Sequence, residues 1–185
     1  MTQLHGIGSC SCCGDLLAGR LDRRSLLRAG GGLAAFAALQ PFMALAATGH
    51  YEAMVVSCID PRFQLPVSRY TARRHLTGKY SHFVFAGAAI GVVAPAFQDW
   101  HKTFWDNLAA TIQLHNIKKV IAINHRDCGA AKIAYGEAAV ATKEAETETH
   151  RKALAEFRKQ VNEKQPQLGV ETGIMAINGR FERLG

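Results

Sequence analysis

The sequence predicts an α/β fold with a mostly parallel central sheet flanked by helices, and three observations predict it. Short apolar runs alternate with longer stretches of helical periodicity. The strand candidates AMVVSC and KKVIAINH are nearly continuous in apolar residues, as strands covered on both faces are. After the first 47 residues there is no repeat and no low-complexity linker, so residues 48–185 read as one domain.

Each element follows from its residues. AMVVSC, 53–58, is a buried parallel strand, and PVSRYTARRHL, 66–76, a short helix opened by its proline. HFVFAGAA, 82–89, is a second strand running into a loop of small residues. In KTFWDNLAATIQLHN, 102–116, helical spacing puts Phe104, Leu108, Ile112 and His115 on one face, and Asn116 marks the end. KKVIAINH, 118–125, is the third strand. A charged, Ala-rich stretch from Lys143 to Lys164 is a further helix, and LGVETGIMAINGRFERL closes with strand character around an Asn178-Gly179 turn.

Composition bounds the class. With 48% apolar and 20% charged residues in 185, the chain is an ordinary globular protein. The net charge is +7, yet beyond residue 46 there are 18 Lys and Arg against 13 Asp and Glu. These charges are scattered rather than gathered in a strip with interleaved aromatics, which points away from nucleic acid.

The first 47 residues read as an address. Asp22-Arg23-Arg24-Ser25-Leu26-Leu27-Arg28 precedes a Gly- and Ala-rich, modestly apolar run that ends in Ala44-Leu45-Ala46, a small-x-small cleavage site. This resembles a twin-arginine export signal and implies a periplasmic protein that meets the membrane only during export. The alternative is an uncleaved anchor, since residues 29–51 carry no Asp, Glu, Lys or Arg; Pro41, Gln40 and three successive glycines argue against it. Cys10, Cys12 and Cys13 would leave with the signal and receive no role. Cys58 and Cys128 remain, and outside the cytoplasm two such thiols are either paired as a disulfide or held by a metal.

Two strand ends carry chemistry. SCIDPRF, 57–63, sets Cys58, Asp60 and Arg62 at alternate positions after an apolar run. All three are costly to bury without partners. Read alone, the segment also suits a strand end with a loosely packed Cys and a surface ion pair. A second segment, NHRDCGA at 124–130, ends the third strand with His125 and Cys128 three residues apart, where strand gives way to helix. Two thiolates and one imidazole are a zinc set with a fourth position left over. In open α/β sheets such sites lie beyond the carboxyl ends of the strands.

With CIDPR at 58–62 and HRDCG at 125–129, the chain resembles the β-class carbonic anhydrases from about Ala53 to Leu184. The resemblance implies a zinc ion held by Cys58, His125 and Cys128, with Asp60 and Arg62 as the catalytic dyad. It implies reversible hydration of carbon dioxide to bicarbonate by zinc-bound hydroxide, whose hydrogen bond Asp60 accepts while Arg62 keeps the carboxylate ionised and turned. It also implies a homodimer or higher homo-oligomer. Two alternatives stand beside this activity: hydrolysis of carbonyl sulfide or carbon disulfide at the same site, and a non-catalytic zinc or partner-binding module in which Asp60 closes the metal.

The chain departs from that pattern in three places. FAGAAIG, 85–91, keeps only the Ala-Gly of the usual segment after the second strand, Asn124 replaces a usual Gly, and the 67 residues from Cys58 to His125 include an insertion around QDWHKTFW. His75, His82, His101 and His115 lack ligand spacing; His101, in the insertion, is the best proton-shuttle candidate among them. Trp100, Phe104 and Trp105 suit core or dimer interface, and Asp127 suits a carboxylate at a helix N-terminus.

Overall fold

Ala53–Ser57 (β1) is buried at every position, and its side chains alternate between two cores in the computed structural model, which describes residues 49–184. Ala53 and Val55 face one core, Met54 and Val56 the other. This two-sided burial is why the strand reads as one apolar run. The expected signal, 1–47, with its arginines and Cys10, Cys12 and Cys13, lies outside the described residues.

The remaining elements are a 3-10 turn Pro61–Phe63, helix α1 Gln64–Arg73, strand β2 Tyr80–Val84, helix α2 Ala89–Val93, a 3-10 turn Pro95–Phe97, helix α3 Gln98–His115, strand β3 Lys119–His125, helix α4 Gly129–Tyr135, a 3-10 turn Glu137–Val140, helix α5 Lys143–Lys164 and strands β4 Gly169–Met175 and β5 Phe181–Arg183. The sheet order is β2-β1-β3-β4-β5. β1 to β4 are parallel and only β5 is antiparallel, returning on β4 after the Asn178-Gly179 turn. The fold is α/β with a mostly parallel sheet, as the alternation of periods predicts.

Helices cover both faces. Phe63, Val67 and Tyr70 from the first turn and α1, with Ala131 of α4, pack on Val55, Ile121 and Ile123. Phe104 and Leu108 of α3, with Leu154, Phe157 and Val161 of α5, pack on Met54, Val56, Val120 and Ala122. Each large apolar side chain among these contributes roughly 1.5–3 kcal/mol by leaving water.

The element bounds differ from expectation for local reasons. Pro66 does not open the first helix but sits in its first turn, where backbone N–H groups have no intrahelical partner to lose. That helix stops at Arg73 because His75 takes a left-handed φ of 57°. The second strand ends at Val84; the small residues expected as loop make a tight turn and then α2, allowed by Gly87 at φ 78°. On α3, Phe104, Leu108 and Thr111 are buried, while Ile112 only flanks the core and His115 turns to Ser81 Oγ at 2.6 Å.

Candidate metal centre

β1 and β3 are hydrogen-bonded neighbours in register Ser57 to Ile123, so their carboxyl ends leave the sheet side by side. Cys58 follows β1 directly, and His125 ends β3. The chain then reverses through Asp127, at a left-handed φ of 57°, which brings Cys128 to the head of α4. The ligand atoms of Cys58, His125 and Cys128 all lie within 4.8 Å of one another. All three residues are buried, at 6%, 1% and 2% exposure. The two sulfurs are free thiols rather than a disulfide.

The chemistry of these donors fits a metal ion. His125 Nδ1–H donates to the Arg126 carbonyl at 2.8 Å, which leaves the Nε2 lone pair directed inward. Among the described residues that Nε2 is buried without a hydrogen-bond partner, a costly arrangement unless something else takes the lone pair. Phe63 packs against the imidazole at 4.8 Å between ring centroids and fixes its plane. The thiols share a proton: hydrogen bonding from Cys128 pulls the Cys58 thiol far below its usual range, and the same bond pushes Cys128 up. The Gly87 N–H, 3.3 Å from Cys58 Sγ, adds to the stabilisation of that thiolate. Burial alone would lower the His125 pKa, but the neighbouring Cys58 thiolate and the Arg126 carbonyl outweigh it. A buried Cys-His-Cys group of this kind can hold a metal, and its two sulfurs and one nitrogen suit zinc.

Asp60 and Arg62 stand beside this group. Asp60 caps the turn that follows it, accepting the Arg62 N–H at 2.9 Å. The Arg62 side chain then returns to the same carboxylate, with Nε 3.0 Å from Oδ1 and Nη2 2.7 Å from Oδ2. These bonds bring the Asp60 carboxyl down to about 2. Arg62 Nη1 reaches Asp127 Oδ2 at 2.8 Å, so Asp127 does more than face a helix end: it clamps the arginine from the opposite loop.

Several contributors carry no signal in the sequence. Glu146 of α5 accepts Arg126 Nη1 at 3.0 Å through Oε2 and takes the Asp127 N–H on Oε1, which ties the ligand loop to the helix. Asn124 and His150 form a buried pair behind β3. Glu146 and His150 sit in a run of charged helical residues, where nothing in spacing separates an inward side chain from a solvated one. Of the histidines, His101 is tied to the Ala94 carbonyl at 3.1 Å, whereas His82 lies 2.7 Å from Ser57 Oγ. With Ser57, Cys58, Gln64, Ser68, Tyr80 and Val84, His82 lines a cleft of about 360 Å³.

Known proteins share both the sequence and the fold. The family described as "Putative carbonic anhydrase" matches residues 48–178. The chain belongs to this family. An uncharacterized protein of Rickettsia bellii (strain RML369-C) is 34% identical over 131 residues, covering 71% of this chain and 80% of the relative. Among solved structures, the β-carbonic anhydrase CcaA superposes with a TM-score of 0.53 at 14% identity, over 86% of this chain and 91% of the other. The β-carbonic anhydrase CafA of Aspergillus fumigatus gives 0.51 at 15% identity, over 87% of both chains. At such identities these two structures establish the shared fold; membership of the carbonic anhydrase family rests on the sequence match.

Proposed function

We propose that the chain catalyses the reversible hydration of carbon dioxide to bicarbonate, with a zinc ion held by Cys58, His125 and Cys128. The observation that carries this reading is the convergence of those three buried donors, within 4.8 Å of one another, beside an Asp60 whose carboxylate is fixed by Arg62. When bound, zinc supplies a Lewis acid that brings the pKa of water to about 7, so that a nucleophile is present at ordinary pH.

The protein's own groups do the rest. His125 offers Nε2 because Nδ1–H is committed to Arg126. Cys58 and Cys128 give up their shared proton when a metal enters, which makes uptake dependent on pH. Asp60 stays ionised through the neutral range and accepts the hydrogen bond of the attacking water, aiming its oxygen at the substrate carbon. Arg62 is held between Asp60 and Asp127, so the carboxylate keeps one orientation. Both Asp60 oxygens are engaged by Arg62, which favours an enzyme over a binding module closed by that carboxylate.

The reading extends to place and assembly. The twin arginines and the cleavage site support export to the periplasm, and the exposed Ile59, Leu65 and Val84, the last on the edge strand β2, support a homodimer or higher homo-oligomer. The deciding experiment is the hydration rate of carbon dioxide across pH on zinc-quantified protein, with hydrogen sulfide release from carbonyl sulfide and carbon disulfide measured beside it. Hydration that rises with pH through about 7 is expected. Fully zinc-loaded protein that is inert toward all three substrates from about pH 6 to 9 leaves only the binding module.

A further inference from the structure

Asn124 is almost wholly buried, at 1% exposure, and both ends of its amide are used. Its Oδ1 accepts the Ala89 N–H at 3.1 Å, and its Nδ2 stands 3.0 Å from His150 Nδ1. An amide nitrogen can only donate, so His150 Nδ1 is the acceptor and the ring proton sits on Nε2. His150 is 0% exposed, and Nε2 has no hydrogen-bond partner among the described residues. A buried donor left unpaired is a cost that this site bears in order to present Nδ1 to Asn124. Burial holds the imidazole down to about 4, so it is neutral and Nδ1 keeps its lone pair through the physiological range.

The other end of the chain of contacts is the metal centre. Ala89 begins α2 directly after Ala88, which has φ 50° and ψ −118°, a conformation a residue with a Cβ rarely adopts. Such a conformation persists only where its surroundings over-determine it. The preceding Gly87, at φ 78°, has its N–H on Cys58 Sγ at 3.3 Å. A Cβ at Gly87 would stand 3.1 Å from Ala130 Cβ, so the turn is also wedged against α4.

We infer that the His150–Asn124 pair is a positioning device that pins the strained Gly87–Ala88 turn by way of the Ala89 N–H, so that Gly87 delivers its hydrogen bond to the Cys58 thiolate. Neither residue is a ligand; both act on the metal through the donor strength and position of Cys58. The inference rests on the metal reading above and adds two residues to it.

The test uses the full chain loaded with cobalt(II) or zinc, and compares Asn124→Ala, His150→Leu and His150→Asn. In the last, the Asn oxygen stands near the place of Nδ1 and can still accept. Metal affinity is measured by chelator competition, the sulfur-to-cobalt charge-transfer and ligand-field bands by absorption, and exchange of the Gly87 and Ala89 amides by NMR on metal-free protein. Asn124→Ala and His150→Leu should weaken metal binding by about 10- to 100-fold, shift the cobalt bands and speed exchange of both amides. His150→Asn should restore all three toward wild type. If Asn124→Ala is not recovered folded, the two His150 variants carry the comparison. Wild-type affinity and bands in His150→Leu, or a His150→Asn as impaired as His150→Leu, overturn the inference while leaving the metal reading intact. Wild-type protein that takes up no metal overturns both.

Discussion

The Arg62 guanidinium donates to both carboxylate oxygens of Asp60, at 3.0 Å from Nε to Oδ1 and 2.7 Å from Nη2 to Oδ2. The two residues are therefore one unit, and Asp127 on the facing loop holds its other side at 2.8 Å. Asp60→Asn keeps the shape and the three metal donors but removes the charge, so zinc content should be unchanged while turnover falls by about 10²-fold or more. Arg62→Ala should do comparable damage by freeing the carboxylate to turn toward the metal. Zinc analysis beside hydration kinetics checks both. Near-normal turnover in Asp60→Asn would remove it from the mechanism.

Cys58→Ser should lose most of the metal and also unfold at lower temperature, because metal bound only by the folded chain adds its binding free energy to stability. The measurement is zinc per chain together with thermal unfolding, with and without chelator. Full zinc occupancy in the variant would contradict the ligand assignment.

His150 should make the protein acid-sensitive. Burial, with lesser contributions from His125 and Arg126, lowers its pKa to about 4 from an ordinary 6.5. The unfolded chain therefore takes up the proton first, and stability contributed by the neutral imidazole is present above about 6.5 and lost as pH falls toward about 4. The shift corresponds to about 3 kcal/mol at most. Denaturant unfolding of wild type and His150→Asn at the same metal loading should diverge across this window, wild type losing more; parallel curves would refute it.

Arg23→Lys combined with Arg24→Lys should leave the precursor inside the cell with its metal already bound, since the twin-arginine route carries folded proteins. Cell fractionation with zinc analysis of the retained protein reads this out. Unchanged periplasmic accumulation would show that the segment has another role.

Sedimentation of the purified protein should give a dimer or larger species. Replacing the exposed Leu65 and Val84 with charged residues should shift it toward monomer. A wild-type chain that sediments only as a monomer would rule this out.

The fold and the centre of the site were legible in the sequence because both are written in local pattern. β1 and β3 are nearly continuous in apolar residues because helices cover both faces, and the positions of Cys58, His125 and Cys128 at the ends of those strands group them as donors, while Asp60 and Arg62 join them through the family resemblance. The ends of elements were less legible, since they depend on single residues such as His75 and Gly87 entering left-handed conformations. The supporting contacts were not legible at all. Asp127 on Arg62, Glu146 on the Asp127 N–H, and His150 on Asn124 join positions 65, 19 and 26 residues apart, each pair brought together only when loops and helices fold back over the sheet. A hydrogen bond over such a separation leaves no periodicity behind it. The sequence by itself determined the class of sheet and marked the three residues that could hold a metal; the tertiary structure alone decided which polar side chains turn inward around them, because that choice is made by packing against residues distant in the chain.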